Sequence, residues 1–388
     1  MKKKIAILGS TGSIGKNLIN ILKNDKKNFE IILLTADKNY NELSKQTKLF
    51  KVKNIIITNK NSYLKFKNIK FSHKINIFNN FNSFNKIFKN KVDYVMSSIS
   101  GINGLEPTIN IIKYTKKIAI ANKEAIICGW HLIKRNLKKF KTIFIPVDSE
   151  HFSIFYSLRK NDILNVEKIY LTASGGPLNN LPKKKFKSVK ISEAINHPNW
   201  KMGKKISIDS ATMMNKVFEI IEAKKIFNLD YNKLDILVHP SSYIHAITKF
   251  NDGMIKIIAH DTNMKIPIFN SLYDKQKKII KTDKLNLKKL NFLGLKKVDT
   301  DKFTSIKILD KLHNRDSLLE TIIVLANDEL VNLFLLKKIN FNDIMDILQK
   351  LINMKEFKKY SQKNPGSIRT IISLDNYIRK KINKIIHL

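Results

Sequence analysis

The first part of the chain shows short apolar runs that alternate with amphipathic stretches. The apolar runs predict buried strands at 4–8, 30–34, 54–58, 93–97 and 117–121. A helical spacing of apolar residues follows the first of them, at 16–22. Strands and helices that alternate in this way predict a parallel sheet with helices on both faces. We therefore predict an α/β domain over residues 1–150.

The rest of the chain changes pattern twice. Strands are predicted at 142–145, 168–172, 234–239, 243–250 and 255–260, and the turn signal Asn251-Asp252-Gly253 joins the last two. The alternation at 205–209 predicts a further strand, which gives way to a helix ending near 227. From about 303 onward the apolar spacing is helical, at 317–338, 341–354 and 374–386. These patterns predict a central α+β domain over 151–290 and a helical C-terminal domain over 291–388.

The segment between the first strand and the first helix reads Gly9-Ser10-Thr11-Gly12-Ser13-Ile14-Gly15. Glycines in such a turn let the backbone approach a pyrophosphate, and the next helix offers free N–H groups at its N-terminus. We therefore predict a Rossmann-like dinucleotide-binding domain, with a variant of the usual glycine spacing. After the second strand, Asp37 suits the ribose hydroxyl of NAD, whereas Lys38 suits the 2′-phosphate of NADP. The residues alone leave both cofactors open.

A second candidate site follows the predicted strand at 142–145. Asp148 and Glu150 are separated by one residue, so in an extended backbone their side chains point the same way. Two convergent carboxylates suit a hard divalent cation such as Mg²⁺ or Mn²⁺. The alternative is a solvated acidic turn that binds no ligand.

Other polar residues follow predicted strands. Lys123 comes just after the strand at 117–121, where parallel sheets bind their ligands. The turn Ala173-Ser174-Gly175-Gly176-Pro177 either holds a phosphate through its N–H groups or is a simple turn. The loop at 197–203 carries Trp200 and Met202, and it predicts a lid over a substrate.

The helix that ends near 227 carries three polar residues on one face. Asn215 and Glu219 are four residues apart, and Lys216 and Glu219 are three apart. These residues form either a surface ion pair of small energy or a metal carboxylate beside an amide and an ammonium for a phosphate. His245 lies among apolar residues, where a buried structural histidine is the default interpretation.

The composition adds a strong positive charge. The formal net charge is +40, from 72 Lys and Arg against 32 Asp and Glu. The lysines are spread along the chain without a recognisable nucleic-acid motif, so we interpret the charge as a compositional bias and expect no specific nucleic acid. No stretch approaches the ~18 apolar residues of a membrane span, and the single cysteine, Cys128, suits a reducing compartment. We expect a soluble, cytoplasmic protein without a membrane partner.

The motifs GSTGSIG, ANKE, PVDSEH, SGGP, HPNW-x-MG and KIS-x-DSATMMNK occur in this order along essentially the whole chain. In this combination the chain resembles the 1-deoxy-D-xylulose 5-phosphate reductoisomerase family. The resemblance implies an NADPH-dependent enzyme that rearranges this ketose phosphate and reduces the product to 2-C-methyl-D-erythritol 4-phosphate, in non-mevalonate isoprenoid precursor synthesis. It also implies a bound Mg²⁺ or Mn²⁺ ion and a homodimer.

The resemblance also implies residue roles. The metal ligands are Asp148, Glu150 and Glu219, and these three act in catalysis together with Lys123 and His245. Ser174, Ser210, Asn215 and Lys216 hold the phosphate, and Trp200 and Met202 form the closing flap. The full set of substrate contacts is Lys123, Ser149, Glu150, Ser174, His197, Trp200, Met202, Ser210, Asn215, Lys216, Glu219 and Met264. The cofactor contacts are Thr11, Gly12, Ser13, Ile14, Lys38, Asn39, Asn122, Glu124 and Gly203.

One departure and two alternatives bear on this prediction. Members of the family often have a small residue where Asp37 stands, and a carboxylate there should repel a 2′-phosphate. A semialdehyde dehydrogenase of similar layout needs a nucleophilic cysteine, but Cys128 lies in an apolar stretch at 125–130 with no basic neighbour. A basic nucleic-acid-binding protein that had kept the fold of an enzyme would have little reason to keep every catalytic position that the resemblance implies, and all of them are present here. The reductoisomerase hypothesis is therefore favoured.

Overall fold

The computed structural model describes residues 1–158, 163–273 and 278–386, and its contacts divide the chain into two compact units. The first unit comprises Met1–Ile126, His131–Asp148 and Met264–Ile280. The second comprises Ile127–Trp130, Ser149–Asn263 and Lys281–Leu388. The predicted domain limits 1–150, 151–290 and 291–388 stay predictions, because a division by contacts does not test which segments fold alone.

The first unit is built on a parallel sheet of seven strands in the order β4-β3-β2-β1-β5-β6-β7. Every neighbouring pair in this sheet is parallel, which confirms the prediction from the alternating pattern. The strands are β1 (Lys3–Leu8), β2 (Phe29–Ala36), β3 (Asn54–Ile57), β4 (Asn76–Phe78), β5 (Val92–Ser97), β6 (Thr115–Ile120) and β7 (Ile143–Pro146).

Helices connect these strands and complete the hydrophobic core of the unit. They are α1 (Ser13–Lys23), α2 (Tyr40–Phe50), α3 (Lys60–Lys67), α4 (Phe84–Ile87), α5 (Leu105–Ile111) and α6 (Lys123–Phe140). A later segment, α11 (Lys265–Leu272), adds Ile268 and Leu272 to the same core as Ile5 and Ile7 of β1. All four of these side chains are at most 2% exposed.

The strand order reverses between β1 and β5, which makes this point the switch point of the sheet. In open parallel sheets, ligands bind in the crevice beyond the carboxyl ends of the strands at such a point. The segments that leave this edge are the glycine turn after β1, Ser98 after β5, Asn122 after β6 and Asp148 after β7. The topology therefore places most of the predicted polar residues of the first unit along one edge.

The second unit contains a mixed sheet in the order β11-β10-β8-β9-β12. Its strands are β8 (Val166–Ala173), β9 (Leu234–Val238), β10 (Ile244–Phe250), β11 (Ile255–Ala259) and β12 (Lys296–Lys297). The predicted hairpin is confirmed, because β10 and β11 are antiparallel and Phe250 donates its N–H to the Met254 carbonyl across the turn.

Helices make up the remainder of the second unit. They are α7 (Ser149–Ser157), α8 (Ile191–Ala194), α9 (Lys204–Ala211), α10 (Met214–Phe227), α12 (Leu287–Asn291), α13 (Leu318–Leu335), α14 (Phe341–Asn353), α15 (Lys355–Lys358) and α16 (Ile368–Ile386). The predicted helical C-terminal region is confirmed, with α13 packed against α14 and α16. Among the residues with a described position, no helix combines the length and apolar character needed to cross a bilayer.

One element was predicted wrongly, since the alternating segment at 205–209 is not a strand but part of helix α9. Ser207 and Asp209 within it are nearly as buried as Ile208, so the alternation does not mark an exposed face. The Ser207 hydroxyl donates to the Gly203 carbonyl one turn earlier, and the Asp209 carboxylate accepts from Asn327 Nδ2 of α13 at 2.7 Å. These hydrogen bonds satisfy the polar groups inside the unit and allow a helix there.

Candidate active site

The glycine turn after β1 leaves little room for side chains. Gly9 has φ +80°, and a Cβ on Gly15 would lie 2.5 Å from the Gly9 carbonyl oxygen. Helix α1 begins at Ser13, and its N-cap residue, Gly12, makes no side-chain capping bond. No side chain caps the backbone N–H groups of the first turn of α1, which follows Thr11 and Gly12 and includes Ile14. These N–H groups are therefore available to an anion. The turn fits the pyrophosphate of a dinucleotide.

The turn is held against β2. Thr35 accepts the Gly9 N–H on its hydroxyl at 2.8 Å and the Ser10 N–H on its carbonyl at 2.9 Å. Sequence reasoning missed Thr35, because a hydroxyl at the end of an apolar strand has no distinctive pattern. Its role is to fix the turn at the switch point of the sheet.

The residues after β2 are exposed, and they lie where a cofactor ribose is expected. The Asp37 carboxylate accepts from the Thr58 hydroxyl at 2.8 Å, and Lys38 has an exposed side chain. Asn39 caps α2 by accepting the Glu42 N–H. The hydrogen bond from Thr58 therefore orients the Asp37 carboxylate, and Lys38 is the next residue in the chain.

The other predicted cofactor residues open helices. Asn122 caps α6 by accepting the Ala125 N–H at 2.7 Å, and it donates to the Gly101 carbonyl at 2.8 Å. Glu124 lies in the first turn of α6. Gly203, in the second unit, is the N-cap residue of α9, and no heavy atom lies within 4 Å of the position of an added Cβ.

Two neighbouring strands bring Lys123 and Asp148 together. Lys123 is the first residue of α6 after β6, and Asp148 follows the adjacent strand β7. The Lys123 ammonium lies 2.5 Å from Asp148 Oδ2. Lys123 is buried, so this pair is largely shielded from water. That Lys123 faces a ligand site stays a prediction.

Glu150 reaches the site by a different route from the one predicted. The backbone is not extended at this point, because Ser149 begins helix α7 and Glu150 lies in its first turn. The Ser149 hydroxyl donates to Glu150 Oε2 at 2.5 Å. His151, which is fully buried, places Nε2 2.9 Å from the Glu219 carbonyl oxygen and so joins α7 to α10.

Helix α10 supplies the third carboxylate. Asn215 Nδ2 donates to Glu219 Oε1 at 2.5 Å, and the Lys216 ammonium contacts Glu219, Glu150 at 2.8 Å and the Thr172 carbonyl at 2.7 Å. Lys216 is 5% exposed and Glu219 is 1% exposed, so the alternative of a surface ion pair is wrong. Before α10, the chain turns at Met213, whose φ of +62° is unusual for a non-glycine residue.

The carboxylates of Asp148, Glu150 and Glu219 converge as the metal hypothesis requires. Each offers one oxygen atom, and these atoms lie within 4.8 Å of one another. Three carboxylates at this spacing form the donor set that Mg²⁺ and Mn²⁺ prefer. Burial alone would lower the pKa of Lys216, but the Glu150 and Glu219 carboxylates outweigh burial and raise it. The Lys216 ammonium therefore stays charged beside the cluster.

Two of the predicted phosphate residues, Ser174 and Ser210, lie at the glycine turn after β8. The Ser174 hydroxyl lies 2.9 Å from His197 Nε2 and accepts the Gly176 N–H at 2.9 Å. Gly176 has φ +71°, and an added Cβ would collide with the carbonyl of Ser210 at the end of α9. Burial, assisted by the charge of Lys216, lowers the pKa of His197 to about 4. His197 is therefore neutral at pH 7.

The neutral state of His197 orients the Ser174 hydroxyl. His197 Nδ1 accepts the N–H groups of Asn199 and Trp200, each at 3.1 Å. The ring proton is then on Nε2 and points to the Ser174 oxygen, which also accepts from Gly176. The Ser174 O–H is left as a donor, which suits a phosphate oxygen.

The loop at 197–203 is irregular, as predicted. Asn199 Nδ2 anchors it by donating to the Pro240 carbonyl at 2.6 Å and to the Ser242 hydroxyl at 2.9 Å. The Trp200 ring meets the ring of His245 edge to face, with the centroids 6.0 Å apart, and Met202 is half-buried. The loop therefore has a fixed base and carries both predicted flap residues.

Met264 and Cys128 lie in different parts of the fold. Met264, in the first unit, packs against the hydrophobic core of that unit. Cys128 is fully buried within α6, a position that does not suit the exposed nucleophile of a semialdehyde dehydrogenase.

Comparison with known proteins identifies the family of the chain. A family model described as 1-deoxy-D-xylulose 5-phosphate reductoisomerase matches residues 5–129, and models for C-terminal domains of this enzyme match residues 144–227 and 261–381. A 1-deoxy-D-xylulose 5-phosphate reductoisomerase of Pelagibacter ubique is 59% identical, over 99% of both chains. The chain belongs to the 1-deoxy-D-xylulose 5-phosphate reductoisomerase family.

The chain is also similar to more distant members of the reductoisomerase family, in sequence and in structure. A protein of this name from Wolbachia pipientis is 38% identical over 99% of this chain and 97% of its own length. The solved structure of the Zymomonas mobilis reductoisomerase, a complex with NADPH, is 29% identical, with a TM-score of 0.88 over 100% of this chain and 99% of that one. A reductoisomerase structure described as a complex with NADPH, fosmidomycin and magnesium is also 29% identical, with a TM-score of 0.90 over 100% of this chain and 98% of that one. The fold predicted from the sequence is confirmed.

Proposed function

We propose that the protein rearranges 1-deoxy-D-xylulose 5-phosphate and reduces the product to 2-C-methyl-D-erythritol 4-phosphate with NADPH, in the non-mevalonate route to isoprenoid precursors. The observation that carries this proposal is the cluster of Asp148, Glu150 and Glu219, in a chain of the reductoisomerase family. The reaction requires that negative charge on the substrate oxygens be stabilised while a carbon–carbon bond moves. A carboxylate cluster that binds a divalent cation meets this requirement.

The three carboxylates would hold Mg²⁺ or Mn²⁺ through hard oxygen ligands. When bound, the metal supplies a Lewis acid for the substrate oxygens and NADPH supplies the hydride. The Lys123 ammonium, paired with Asp148, places a positive charge next to the cluster. Ser149, at the start of α7, donates to Glu150 and so orients a proposed ligand.

The substrate phosphate would be held by the hydroxyls of Ser174 and Ser210 and by Asn215 and Lys216. The Ser174 O–H points away from His197 and Gly176 and is ready to donate. Lys216 lies between the carboxylates and the carbonyl of Thr172, at the end of the strand that leads to Ser174. This placement supports the binding of one ligand that is both phosphorylated and rich in oxygen near the cluster.

The flap residues Trp200 and Met202 would exclude water before hydride transfer. His245, edge to face with Trp200 and 1% exposed, would line the substrate site and orient or exchange a proton. Met264 would contribute at the margin of the site.

The cofactor would bind at the edge of the parallel sheet. The Gly12–Ser13 helix start would take the pyrophosphate, with Thr11 and Ile14 beside it. Lys38 and Asn39 would lie near the 2′-phosphate, and Asn122, Glu124 and Gly203 would complete the contacts.

The experiment that tests the function is an assay of NADPH oxidation by purified protein with 1-deoxy-D-xylulose 5-phosphate and Mg²⁺. We expect turnover with NADPH, loss of turnover when a chelator removes the metal, and recovery when Mg²⁺ or Mn²⁺ is added back. The product is identified by mass spectrometry, because NADPH oxidation alone does not distinguish rearrangement from simple ketone reduction. A folded protein that binds NADPH but does not turn over the substrate would contradict the proposal.

Replacing Asp37 by Ser should strengthen the binding of NADPH. The exposed carboxylate lies next to Lys38 and repels a 2′-phosphate, and at this exposure one charge changes affinity by roughly 3- to 10-fold at low salt. We expect the Kd for NADPH to fall by this factor in Asp37→Ser and the Kd for NADH not to fall. The matched control is Asp230→Ser, which removes an exposed carboxylate of the second unit. Equal changes for NADPH and NADH would contradict repulsion of the 2′-phosphate.

We further propose a homodimer that forms through the face of β11. Met254, Ile255 and Ile257 are 63%, 54% and 48% exposed, and within the described residues β11 pairs on one side only, with β10. Exposed apolar residues on an edge strand of this kind mark an interface. We expect a dimer mass in light scattering at micromolar concentration and a monomer for Ile257→Lys, with Lys256→Ala as control. A monomeric wild-type protein would contradict the proposal.

The expected cytoplasmic location stays a prediction. It is consistent with the single buried cysteine, which does not need an oxidising compartment.

A further inference from the structure

The rings of two histidines in the second unit are stacked face to face next to the flap. The centroids of His245 and His260 are 3.7 Å apart and the rings are inclined by 20°. The ring of His245 also contacts the ring of Trp200, and the planes of these two rings are inclined by 68°. Trp200, His245 and His260 form a ring stack that runs from the flap loop into the end of the β10–β11 hairpin.

The two histidines have fixed tautomers in their neutral forms. His245 Nε2 lies 3.0 Å from the His260 carbonyl oxygen, and His260 Nδ1 lies 2.8 Å from the Asp261 carbonyl oxygen. A carbonyl oxygen only accepts, so each of these nitrogens carries the ring proton. The backbone of His260 is itself fixed, because its N–H donates to the Tyr243 carbonyl at 3.0 Å.

The side chain of His260 contributes its flat face rather than a second hydrogen bond. Its Nε2 atom is buried and makes no hydrogen bond to any residue whose position is described. Burial lowers the pKa of His260, against a smaller opposing effect of Asp261, so the ring next to His245 is uncharged. The hydrogen bond of His245 goes to a backbone carbonyl, which every residue at this position would provide. The hydrogen bond from His260 Nδ1 to the Asp261 carbonyl requires an imidazole, whereas the stack on His245 requires only an aromatic ring at residue 260.

We propose that His260 is a positioning residue of the active site: its ring holds the imidazole of His245 in one plane and thereby fixes where Trp200 of the flap rests. This inference rests on the proposed function, in which Trp200 closes over a phosphorylated ketose and His245 lines the site. No sequence pattern indicates this role, because His260 lies at the end of an apolar strand and belongs to none of the recognised motifs.

If the ring of His260 has this role, variants of His260 should differ in KM according to whether they keep a flat ring. An aromatic pair contributes enough free energy to change an equilibrium by roughly 2- to 10-fold. Without the ring, the flap should rest less often against His245, so KM for the substrate should rise by about this factor while the Kd for NADPH stays the same. His260→Phe keeps a flat ring and should restore KM, whereas His260→Leu fills a similar volume without a flat ring and should not.

The test combines kinetics with a spectroscopic signal that does not require turnover. The chain has two tryptophans, so protein labelled with 5-fluorotryptophan gives two ¹⁹F resonances, and Trp200→Phe identifies the one from Trp200. We expect the Trp200 resonance to shift or sharpen in His260→Ala and His260→Leu, and to keep the wild-type position in His260→Phe. The Trp130 resonance and the thermal midpoint serve as controls for folding.

Each outcome decides the inference. A Trp200 resonance that stays unchanged in folded His260→Leu overturns it, and so does a change that His260→Phe fails to restore. If His260→Ala does not fold, the comparison of the Leu and Phe variants remains. If wild-type protein shows no turnover, the proposed function fails, but the ¹⁹F comparison still tests whether His260 positions Trp200.

Discussion

Glu219→Gln should lower metal-dependent NADPH oxidation by roughly 10²–10³-fold. The substitution keeps the shape of the side chain and removes one of three negative charges within 4.8 Å of one another. Glutamine offers only a neutral carbonyl oxygen to a divalent cation, so both metal affinity and charge stabilisation decrease. The measurement is the rate at saturating 1-deoxy-D-xylulose 5-phosphate across a titration of Mg²⁺, together with Mn²⁺ binding followed by electron paramagnetic resonance.

The fold should survive this change with a moderate loss of stability. Breaking a buried ion pair costs roughly 3–5 kcal/mol, but Lys216 keeps Glu150 at 2.8 Å, so we expect a smaller cost. Glu167→Gln, which alters an exposed carboxylate paired with Lys249, is the matched control and should retain full activity. Wild-type Mn²⁺ affinity in Glu219→Gln would show that Glu219 is not a metal ligand.

Gly15→Ala should abolish tight binding of NADPH and destabilise the protein. The added Cβ would lie 2.5 Å from the Gly9 carbonyl oxygen and 2.6 Å from the Ser10 Cα, both of which are backbone atoms that cannot rotate away. Helix α1 must then move away from β1, and the N-terminus that would receive the pyrophosphate moves with it. We expect the Kd for NADPH to rise by at least about 100-fold and the free energy of unfolding to fall by roughly 1–3 kcal/mol.

The control for this prediction is another glycine-to-alanine change. Gly366→Ala adds a methyl group where no heavy atom lies within 4 Å, so it should leave both the Kd and the stability close to the wild-type values. Fluorescence titration with NADPH and urea denaturation measure the two quantities. Wild-type affinity in Gly15→Ala would mean that the start of α1 does not bind the cofactor.

Sequence patterns were sufficient to predict six of the seven strands of the first unit, and only β4 (Asn76–Phe78), in a segment rich in Lys, Asn and Phe, was not predicted. Apolar runs indicated these six strands, and the glycine turn after the first of them indicated a dinucleotide-binding domain. Glu150 was assigned to the right cluster for the wrong reason, since the two-residue spacing suggested an extended backbone whereas a helix begins at Ser149. The motif indicated that Asp148 and Glu150 lie close together, but not that Glu150 lies in the first turn of helix α7.

The errors and omissions share a physical cause, which is that buried polar groups depend on partners far along the chain. The segment containing Ser207 and Asp209 alternated like a strand, and one reason why a helix can bury it is the amide of Asn327, 118 residues away, which donates to the Asp209 carboxylate. His260 likewise stacks on the ring of His245, with which no sequence pattern connects it. No periodicity within a short window carries such information.

The buried hydrogen bond between Asp209 and Asn327 has an evolutionary consequence. Loss of either side chain leaves the other buried without that partner, at a cost of about 1–3 kcal/mol, whereas a joint change to two apolar side chains can be nearly neutral. Neutral evolution should therefore change these two residues mainly by substituting both of them. The helix that carries Ser210, a residue proposed to bind the phosphate, and a helix of the C-terminal region thus share one inherited constraint, although the chain separates them by more than a hundred residues.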